Sequence, residues 1–207
     1  MEIIPIPYGR TAIPECMCFI NGSRQKCRSI FFKIYLIKAE EKLILADAGC
    51  ETMRSFEMQD FIGSIHALES IGVNPKEISD VLITHSHHDH IECVKYFKNA
   101  TIHIQEDEYE RGKKYIPDNF KVNTFKDEFI VDKNIKMIKI GGHSKGSSIV
   151  EIVDDDKIHI IAGDECYLRD CLNKKIPTGS SFDKIASMNF IEKYSNKKYS
   201  VLLCHDD

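Results

Sequence analysis

Residues 85–90 contain four histidines and one aspartate, directly after the apolar run Val81–Ile83. Only nine of the 207 residues are histidine, so packing alone does not explain this crowding. Imidazole nitrogen and carboxylate oxygen are the ligands that zinc prefers outside all-cysteine sites. The segment therefore indicates a metal site. The simpler alternative is a solvated histidine-rich loop with incidental metal affinity.

The spacing within this segment suggests how it could serve more than one ion. His85 and His87 are two residues apart, so in extended backbone their side chains point the same way. Asp89 and His90 follow where the chain is expected to turn into a helix, and they can face a second point nearby. One strand-to-helix turn could then supply two metal ions, or one ion and a proton carrier. His88 is left over and is expected to point outward.

Three further polar clusters each follow a predicted strand. They are Gly141–Ser147 after Ile135–Ile140, Ala162–Glu165 after Lys157–Ile161, and Cys204–Asp206 after Val201–Leu203. Taken alone, His143 and His205 would be structural or surface histidines, and Asp164 would be a turn residue. Functional sites in sheet proteins gather where loops converge at strand ends. Together the four segments supply five imidazoles and two carboxylates, enough for two metal ions with open positions for water.

The elements that must position these residues are short strands interspersed with helices. The predicted strands are Ser29–Lys38, Leu43–Ala46, Val81–Ile83, Thr101–Ile104, Phe129–Val131, Ile135–Ile140, Ser148–Val153, Lys157–Ala162 and Val201–Leu203. The predicted helices are Phe56–Ile71, His90–Phe97, Glu106–Tyr115 and Asp183–Tyr194. Pro5 and Pro7 exclude a helix near the start. This pattern predicts two sheets packed together with helices outside.

Composition excludes several classes of protein. The chain has 28 basic and 32 acidic residues, a formal net charge of −4, which argues against a nucleic-acid binder with a broad positive field. No apolar run approaches the roughly 18 to 20 residues of a membrane helix, and the first residues do not resemble a signal peptide. We therefore predict a single domain over residues 1–207, a cytoplasmic location and a small-molecule substrate. The eight cysteines are expected to be reduced thiols, and the oligomeric state is left open.

The arrangement resembles the metallo-β-lactamase superfamily of hydrolases. The resemblance rests, in chain order, on Asp47 after its strand, the H-x-H-x-D-H segment His85–His90, Gly-His-Ser at 142–144, Gly-Asp at 163–164, and His205. The fold that it implies is an α/β (α+β) protein, the αββα sandwich of two mixed β-sheets flanked by helices.

The resemblance also implies a set of metal ligands. One metal site would be His85, His87 and His143, the other would be Asp89, His90 and His205, and Asp164 would bridge both. Asp47 would lie behind the ligands and orient one of them through a hydrogen bond. The cofactors would be two Zn²⁺ ions, and iron, manganese or cobalt would suit similar ligands.

The implied reaction is hydrolysis by a hydroxide that bridges the two metals. Asp89 or Asp164 could pass a proton to the leaving alkoxide, and Tyr167 could donate a hydrogen bond to the substrate carbonyl. The segments Asp164–Tyr167, Ile6–Arg10 and Cys204–Asp206 resemble the N-acyl-homoserine lactonase branch, which implies lactones or related esters as substrates. Zinc β-lactamases of the main type have Arg and Cys at positions corresponding to His90 and Asp164, so antibiotic hydrolysis is not expected.

Some features depart from the family pattern. Glu92 stands where a glycine is usual, Lys145 replaces the proline of the Gly-His-Ser-Pro-Gly turn, and the chain ends two residues after His205, where lactonases usually carry a tail. A thioester or phosphodiester hydrolase, a non-catalytic metal sensor, and a redox role for Cys166 or Cys204 therefore stay open. Phosphodiesterases tend to need cations near the metals, and Lys145 is the only basic residue within the site motifs.

Overall fold

The strands form two mixed sheets in the computed structural model, which describes residues 1–53, 56–155 and 157–206. The first sheet has the order β1-β2-β3-β4-β5-β6, with β1 at Glu2–Pro14, β2 at Cys27–Ala39, β3 at Lys42–Ala46, β4 at Asp80–Ile83, β5 at Thr101–Gln105 and β6 at Lys121–Phe125. The second has the order β11-β10-β9-β8-β7, with β7 at Glu128–Asp132, β8 at Ile135–Lys139, β9 at Ser148–Asp154, β10 at Lys157–Ile161 and β11 at Tyr199–Leu202.

Six short α-helices are described. They are α1 at Glu15–Cys18, α2 at Ser64–Ser70, α3 at His88–Ile91, α4 at Glu106–Gly112, α5 at Arg169–Lys174 and α6 at Lys184–Tyr194. Single 3₁₀ turns lie at Pro75–Glu77, Glu92–Tyr96, Lys113–Tyr115 and Gly163–Glu165. None of the helices in the described ranges is long and apolar enough to cross a membrane. The cytoplasmic location and the single domain stay predictions.

The two sheets pack face to face through an apolar layer between them. Tyr35, Ile37 and Leu82 of the first sheet cluster there with Met137 and Val150 of the second. Helices cover the outer faces of the sheets. The buried apolar side chains there form a second cluster, which is separate from the layer between the sheets. The structure is therefore the αββα sandwich of two mixed sheets that the sequence predicts, and the predicted fold class is confirmed.

The central strands are buried on both faces, which explains their unbroken apolar runs. In β4, Val81 and Ile83 join the outer cluster, whereas Leu82 between them joins the inner layer. In β3, Leu45 and Ile44 divide in the same way. Strands that pair in parallel, as β3 and β4 do, have helices on one face and a second layer on the other. These rigid strands end at the rim where the polar segments lie.

The structure adds elements that the sequence analysis missed. β1 runs antiparallel to β2 through Pro5 and Pro7, and it tolerates prolines because it is an edge strand with one partner. β6 is also an edge strand, and its sequence KVNTF is too polar to signal burial. The short helix α5 was missed as well.

The helix predicted over Phe56–Ile71 is wrong in its first half. Only α2, at Ser64–Ser70, is helical, and it begins after Gly63 at φ +79°. The segment before it runs beside β1, where Gln59 forms a bridge with Arg10. Phe61 contacts the ring of Tyr8, so its apolar side chain packs in a loop and not on a helix.

The other predicted helices are present with changed ends. His90–Phe97 is replaced by α3 followed by the 3₁₀ turn Glu92–Tyr96. Glu106–Tyr115 is α4 with a final 3₁₀ turn. Asp183 is the N-cap of α6, because its carboxylate accepts hydrogen bonds from the backbone N–H groups of Ile185 and Ala186 at 2.8 and 3.1 Å.

Replacing Leu45 by alanine should lower the free energy of unfolding by about 2–5 kcal/mol, because the side chain is fully buried in β3. Ile130→Ala is the matched control, since Ile130 is 68% exposed, and it should change stability by no more than about 0.5 kcal/mol. Urea unfolding with a chelator present measures both without a contribution from metal. Equal losses in the two variants would contradict the burial of Leu45.

Candidate metal centre

All seven predicted ligands come together at one rim of the sandwich, beyond the carboxyl ends of strands. His85 and His87 follow β4, and Asp89 and His90 lie in α3. The remaining three, His143, Asp164 and His205, follow β8, β10 and β11. Strands of both sheets therefore supply the cluster, and residues as far apart in the chain as His85 and His205 share it.

The first part of the cluster is the three-histidine group of His85, His87 and His143. The Nδ1 atom of His87 lies 3.0 Å from Nε2 of His85 and 2.9 Å from Nε2 of His143. The Oδ2 atom of Asp164 is 3.6 Å from the His85 nitrogen and 3.4 Å from the His143 nitrogen. Ligand atoms at 2.0–2.1 Å from a tetrahedral zinc are about 3.3 Å apart, so these four atoms suit one ion.

The second part is the mixed group of Asp89, His90 and His205. The Oδ1 atom of Asp164 lies 3.1 Å from Nε2 of His90 and 3.0 Å from Nε2 of His205. Oδ2 of Asp89 is 3.5 and 3.8 Å from the same two nitrogens. Each oxygen of Asp164 therefore faces one group.

Three buried atoms of the predicted ligands make no well-aligned hydrogen bond within the described chain, and two of them, Nε2 of His90 and Oδ1 of Asp164, lie 3.1 Å apart between the ligands; the third is Nδ1 of His143. Leaving a buried polar atom unpaired costs about 1–3 kcal/mol. The first two atoms point into the cluster of nitrogens and carboxylates. The donor set therefore fits divalent metal ions, which bind such atoms directly.

The electrostatics differ between the two halves of the metal-free centre. Burial opposes protonation of His90 and His205, but the charge of Asp164 outweighs it and raises the pKa of both. Burial lowers the pKa of His143 to about 4 and holds the pKa of His85 well below its usual value. Burial opposes ionisation of Asp164, but the surrounding histidines, His205 and His90 first, hold the pKa of Asp164 well below its usual range. Neutral imidazole and carboxylate are the forms that coordinate metals.

Asp47 lies behind the ligands, where it orients two of them. Its Oδ2 accepts a hydrogen bond from Nδ1 of His90 at 2.7 Å. Its carboxylate also accepts from the backbone N–H of Thr84 at 2.8 Å and from the Thr84 hydroxyl at 2.9 Å, and that hydroxyl lies 3.1 Å from Nδ1 of His85. Asp47 has φ +60°, an uncommon conformation for a residue other than glycine. This backbone strain is held where the side chain must reach the ligands.

Two supporting contacts escaped the sequence analysis. The Tyr8 hydroxyl donates a 2.8 Å hydrogen bond to the Asp89 carbonyl, and Nδ1 of His205 donates a 2.7 Å bond to the Phe31 carbonyl. Tyr8 belongs to the Ile6–Arg10 segment, which the sequence analysis singled out only for its resemblance to the lactonase branch. Phe31 takes part through its backbone carbonyl, which every residue type has, so the sequence could not indicate this contact.

The residues that depart from the family pattern have partners of their own. Glu92 accepts the backbone N–H of Glu51 at 2.8 Å and pairs with Lys95 at 2.6 Å, and so ties the loop after β3 to the chain beyond α3. Lys145 pairs with Asp107 at 2.7 Å and is exposed.

His88 lies outside both groups. It is half-buried, lines a surface cavity, and its Nε2 donates a 2.7 Å hydrogen bond to the Thr52 carbonyl.

A model of the metallo-β-lactamase superfamily matches residues 33–205. The chain belongs to this superfamily. Its match to the family model supports the hydrolase class predicted from the sequence, and the members of the family bind divalent metal ions.

The curated relatives of this superfamily member include a probable metallo-hydrolase of Methanocaldococcus jannaschii, 29% identical over 151 residues, which are 72% of this chain and 66% of that protein. The N-acyl homoserine lactonase AiiB of Agrobacterium fabrum is 30% identical over 96 residues, 39% of this chain and 35% of the lactonase. The chain thus matches less than two thirds of the length of these relatives.

Solved structures of low sequence identity share the fold over almost the whole chain. A B. thuringiensis AiiA variant with N-decanoyl-L-homoserine bound at its active site has a TM-score of 0.85 at 19% identity, over 99% of this chain and 92% of that one. AidC, a dizinc quorum-quenching lactonase, has a TM-score of 0.77 at 17% identity, over 99% and 87%.

Two cavities border the metal centre of this superfamily member. One of about 760 Å³ is lined by His87 and Asp89 on the metal side and by Lys95 and Lys114 among its outer residues. The larger cavity therefore has two lysines in its lining. Neither of them belongs to the sequence motifs, in which Lys145 is the only basic residue. The other, of about 250 Å³, is lined in part by predicted ligands such as His143 and His205, and its apolar walls are Ile13, Met17, Ile30, Phe32 and Phe56.

Tyr167 faces the smaller cavity next to the ligands. Its ring lies against that of His205, with the centroids 4.8 Å apart. Burial first, and then the charges of Asp164 and Asp89, hold the pKa of Tyr167 well above its usual value. The phenol therefore keeps its proton at neutral pH and can donate a hydrogen bond into the cavity.

Cys166 and Cys204 are both buried, and burial raises the pKa of each thiol. A protonated thiol is a poor nucleophile. The environment therefore does not favour the redox role that the sequence left open.

Zinc should raise the melting temperature of metal-free protein, because an ion that binds only the folded state stabilises it. At a free zinc concentration 100 times the Kd the gain is about 2.7 kcal/mol, on the order of 5–10 °C for a chain of this size. His143→Ala should lose much of the shift, whereas His88→Ala should keep it, because His88 bonds to Thr52 instead. Thermal unfolding with and without zinc measures these shifts. Equal shifts in the two variants would contradict the assignment of His143, and not His88, to the metal centre.

Proposed function

We propose that the protein is a dinuclear metal-dependent hydrolase that opens lactones or cleaves related esters of small molecules. The observation that carries this proposal is the geometry of Asp164, whose two carboxylate oxygens each face a different group of ligand atoms at 3.0–3.6 Å. One carboxylate shared in this way suits a pair of ions, and zinc is the metal that these ligands favour.

Two divalent cations held there would supply a hydroxide from water at neutral pH and would polarise the substrate carbonyl. The protein contributes the groups around them. Tyr167 keeps its proton and can donate to the carbonyl oxygen as negative charge develops there. Asp89 borders both cavities and is the better carrier of a proton to the leaving alkoxide, since Asp164 has both oxygens engaged with histidines.

The two cavities support a substrate with an apolar acyl part and a polar part. The smaller cavity has apolar walls beside Tyr167, which suits an acyl chain next to the scissile carbonyl. The larger opens from His87 and Asp89 towards polar side chains. The relatives with lactonase names support lactones as the first substrates to test.

A phosphodiester or another anionic ester is the second candidate, favoured by one observation. Lys95 and Lys114 line the larger cavity beside His87, and cations near the metals would stabilise non-bridging phosphoryl oxygens. Lys95 is already paired with Glu92, which weakens this reading. A closed-shell metal sensor is disfavoured because two cavities reach the ligands.

Metal analysis of protein purified without a histidine tag tests the proposal first. We expect about two equivalents of zinc after metal supplementation, and one equivalent or less would reject the dinuclear centre. The same preparation is then assayed with N-acyl homoserine lactones, an aryl ester, a thioester and a phosphodiester. Lactone or ester turnover that is lost with chelator supports the proposal, and turnover of the phosphodiester alone would replace it with the second candidate.

Tyr167→Phe should lower lactone kcat on the order of 10²-fold, because it removes one donor to the developing oxyanion. The ring contact with His205 remains, so the metal content should be unchanged. Tyr199→Phe is the control, since Tyr199 lies at the start of β11 and is not among the lining residues of either cavity. Unchanged turnover of every substrate in Tyr167→Phe would remove this role from Tyr167.

A further inference from the structure

One buried carboxylate outside the ligand set joins the two loops that carry the three-histidine group. Glu108 lies in α4 and is 1% exposed. Burial opposes its ionisation, but the hydrogen bonds that it accepts, led by those from Ser86 and Ser144, hold the pKa of Glu108 below its usual value. It touches no predicted ligand side chain in the described contacts, so neither the metal ligands nor the proposed reaction accounts for it.

The first loop is held through Ser86, which stands between His85 and His87. Oε2 of Glu108 accepts the backbone N–H of Ser86 at 2.8 Å and the Ser86 hydroxyl at 2.6 Å. Ser86 is fixed at both its backbone and its side chain. The two histidines on either side of it are therefore restrained in direction.

The second loop is held through residues that follow His143. Oε1 of Glu108 accepts the Ser144 hydroxyl at 2.7 Å and the backbone N–H of Gly146 at 3.0 Å. A Cβ atom at Gly146 would lie 2.0 Å from Oε1 of Gln105, the N-cap of α4, and 3.0 Å from Cγ of Glu108. Helix and loop therefore meet without room for a side chain between them.

We propose that Glu108 is a positioning residue that sets the geometry of the three-histidine group, and thereby the affinity of one of two metal sites. The proposal rests on the dinuclear function proposed above. The other half of the centre has different supports, namely Asp47 behind His90, the Phe31 carbonyl behind His205, and Tyr8 on the Asp89 backbone. Loss of Glu108 should therefore act on one site and leave the other.

The chemistry of the four contacts requires a carboxylate and not merely a polar side chain. A carboxylate has about four acceptor positions, and here four donors use them. Each oxygen accepts one backbone N–H, from Ser86 or from Gly146, and a backbone N–H cannot act as an acceptor. A glutamine has the same shape, but either orientation of its amide sets its NH₂ group against one of these N–H groups.

The test is Glu108→Gln in the full-length protein, with Glu106→Gln as the control, because Glu106 lies on the same helix and is exposed. The two stepwise zinc affinities of metal-free protein are measured by competition with a chromophoric chelator. Cobalt spectra report the coordination of each site. His143→Ala and His205→Ala show which step belongs to which half, and urea unfolding of the metal-free variants measures stability separately.

In Glu108→Gln, the step that His143→Ala abolishes should weaken about 10–100-fold, with a changed cobalt spectrum. The step that His205→Ala abolishes should stay within about threefold of wild type, the margin that we set for no effect, and Glu106→Gln should match wild type in both. Equal weakening of both steps would show a general loosening of the fold and overturn the proposal, as would two unchanged affinities. If wild-type protein binds fewer than two ions, the dinuclear function fails, whatever Glu108→Gln does.

Discussion

A shared buried carboxylate is the constraint on which the rest of the structure depends. Asp164 is 3% exposed and is surrounded by four imidazoles, with two facing each of its oxygens. In a region of low dielectric, such a group is stable only when positive charge or strong donors surround it. The three-histidine group is held neutral, whereas Asp164 raises the pKa of His90 and His205 on its other side. Divalent cations would balance the carboxylate on both sides, and the candidate ligand atoms lie within 4.8 Å of one another in each group.

The fold meets this constraint by fixing the ligands from behind. The strands that end at the rim are buried on both faces, as Val81 and Leu82 of β4 show, so their ends shift little. A second layer of polar contacts then restrains some of the ligand rings directly and others through the loops that carry them. Asp47 acts on His90, and Glu108 joins the loops on either side of His143 and His85. Both carboxylates lie outside the ligand set, and both are buried.

Much of the lining of the two cavities comes from parts of the chain outside the ligand motifs. The apolar walls of the smaller cavity come largely from β1, β2 and the chain near them, including Ile13, Ile30 and Phe32. The lining of the larger cavity includes Lys95 and Glu92, and Glu92 stands where the family usually has glycine. One metal centre can thus serve different molecules when these walls change.

The sequence by itself determined the fold class and the candidate ligands, because short-range patterns carry both. Strands buried on both faces read as apolar runs, and His85–His90 crowds metal-binding side chains after one of them. The strand β1 was not predicted, and the loop residues around Phe61 were predicted as a helix, since the structure of both depends on pairing with distant parts of the chain. Only the tertiary structure brought Glu108 into contact with Ser86 and Ser144, because an acidic helix near the surface gives no local sign that one of its carboxylates is buried.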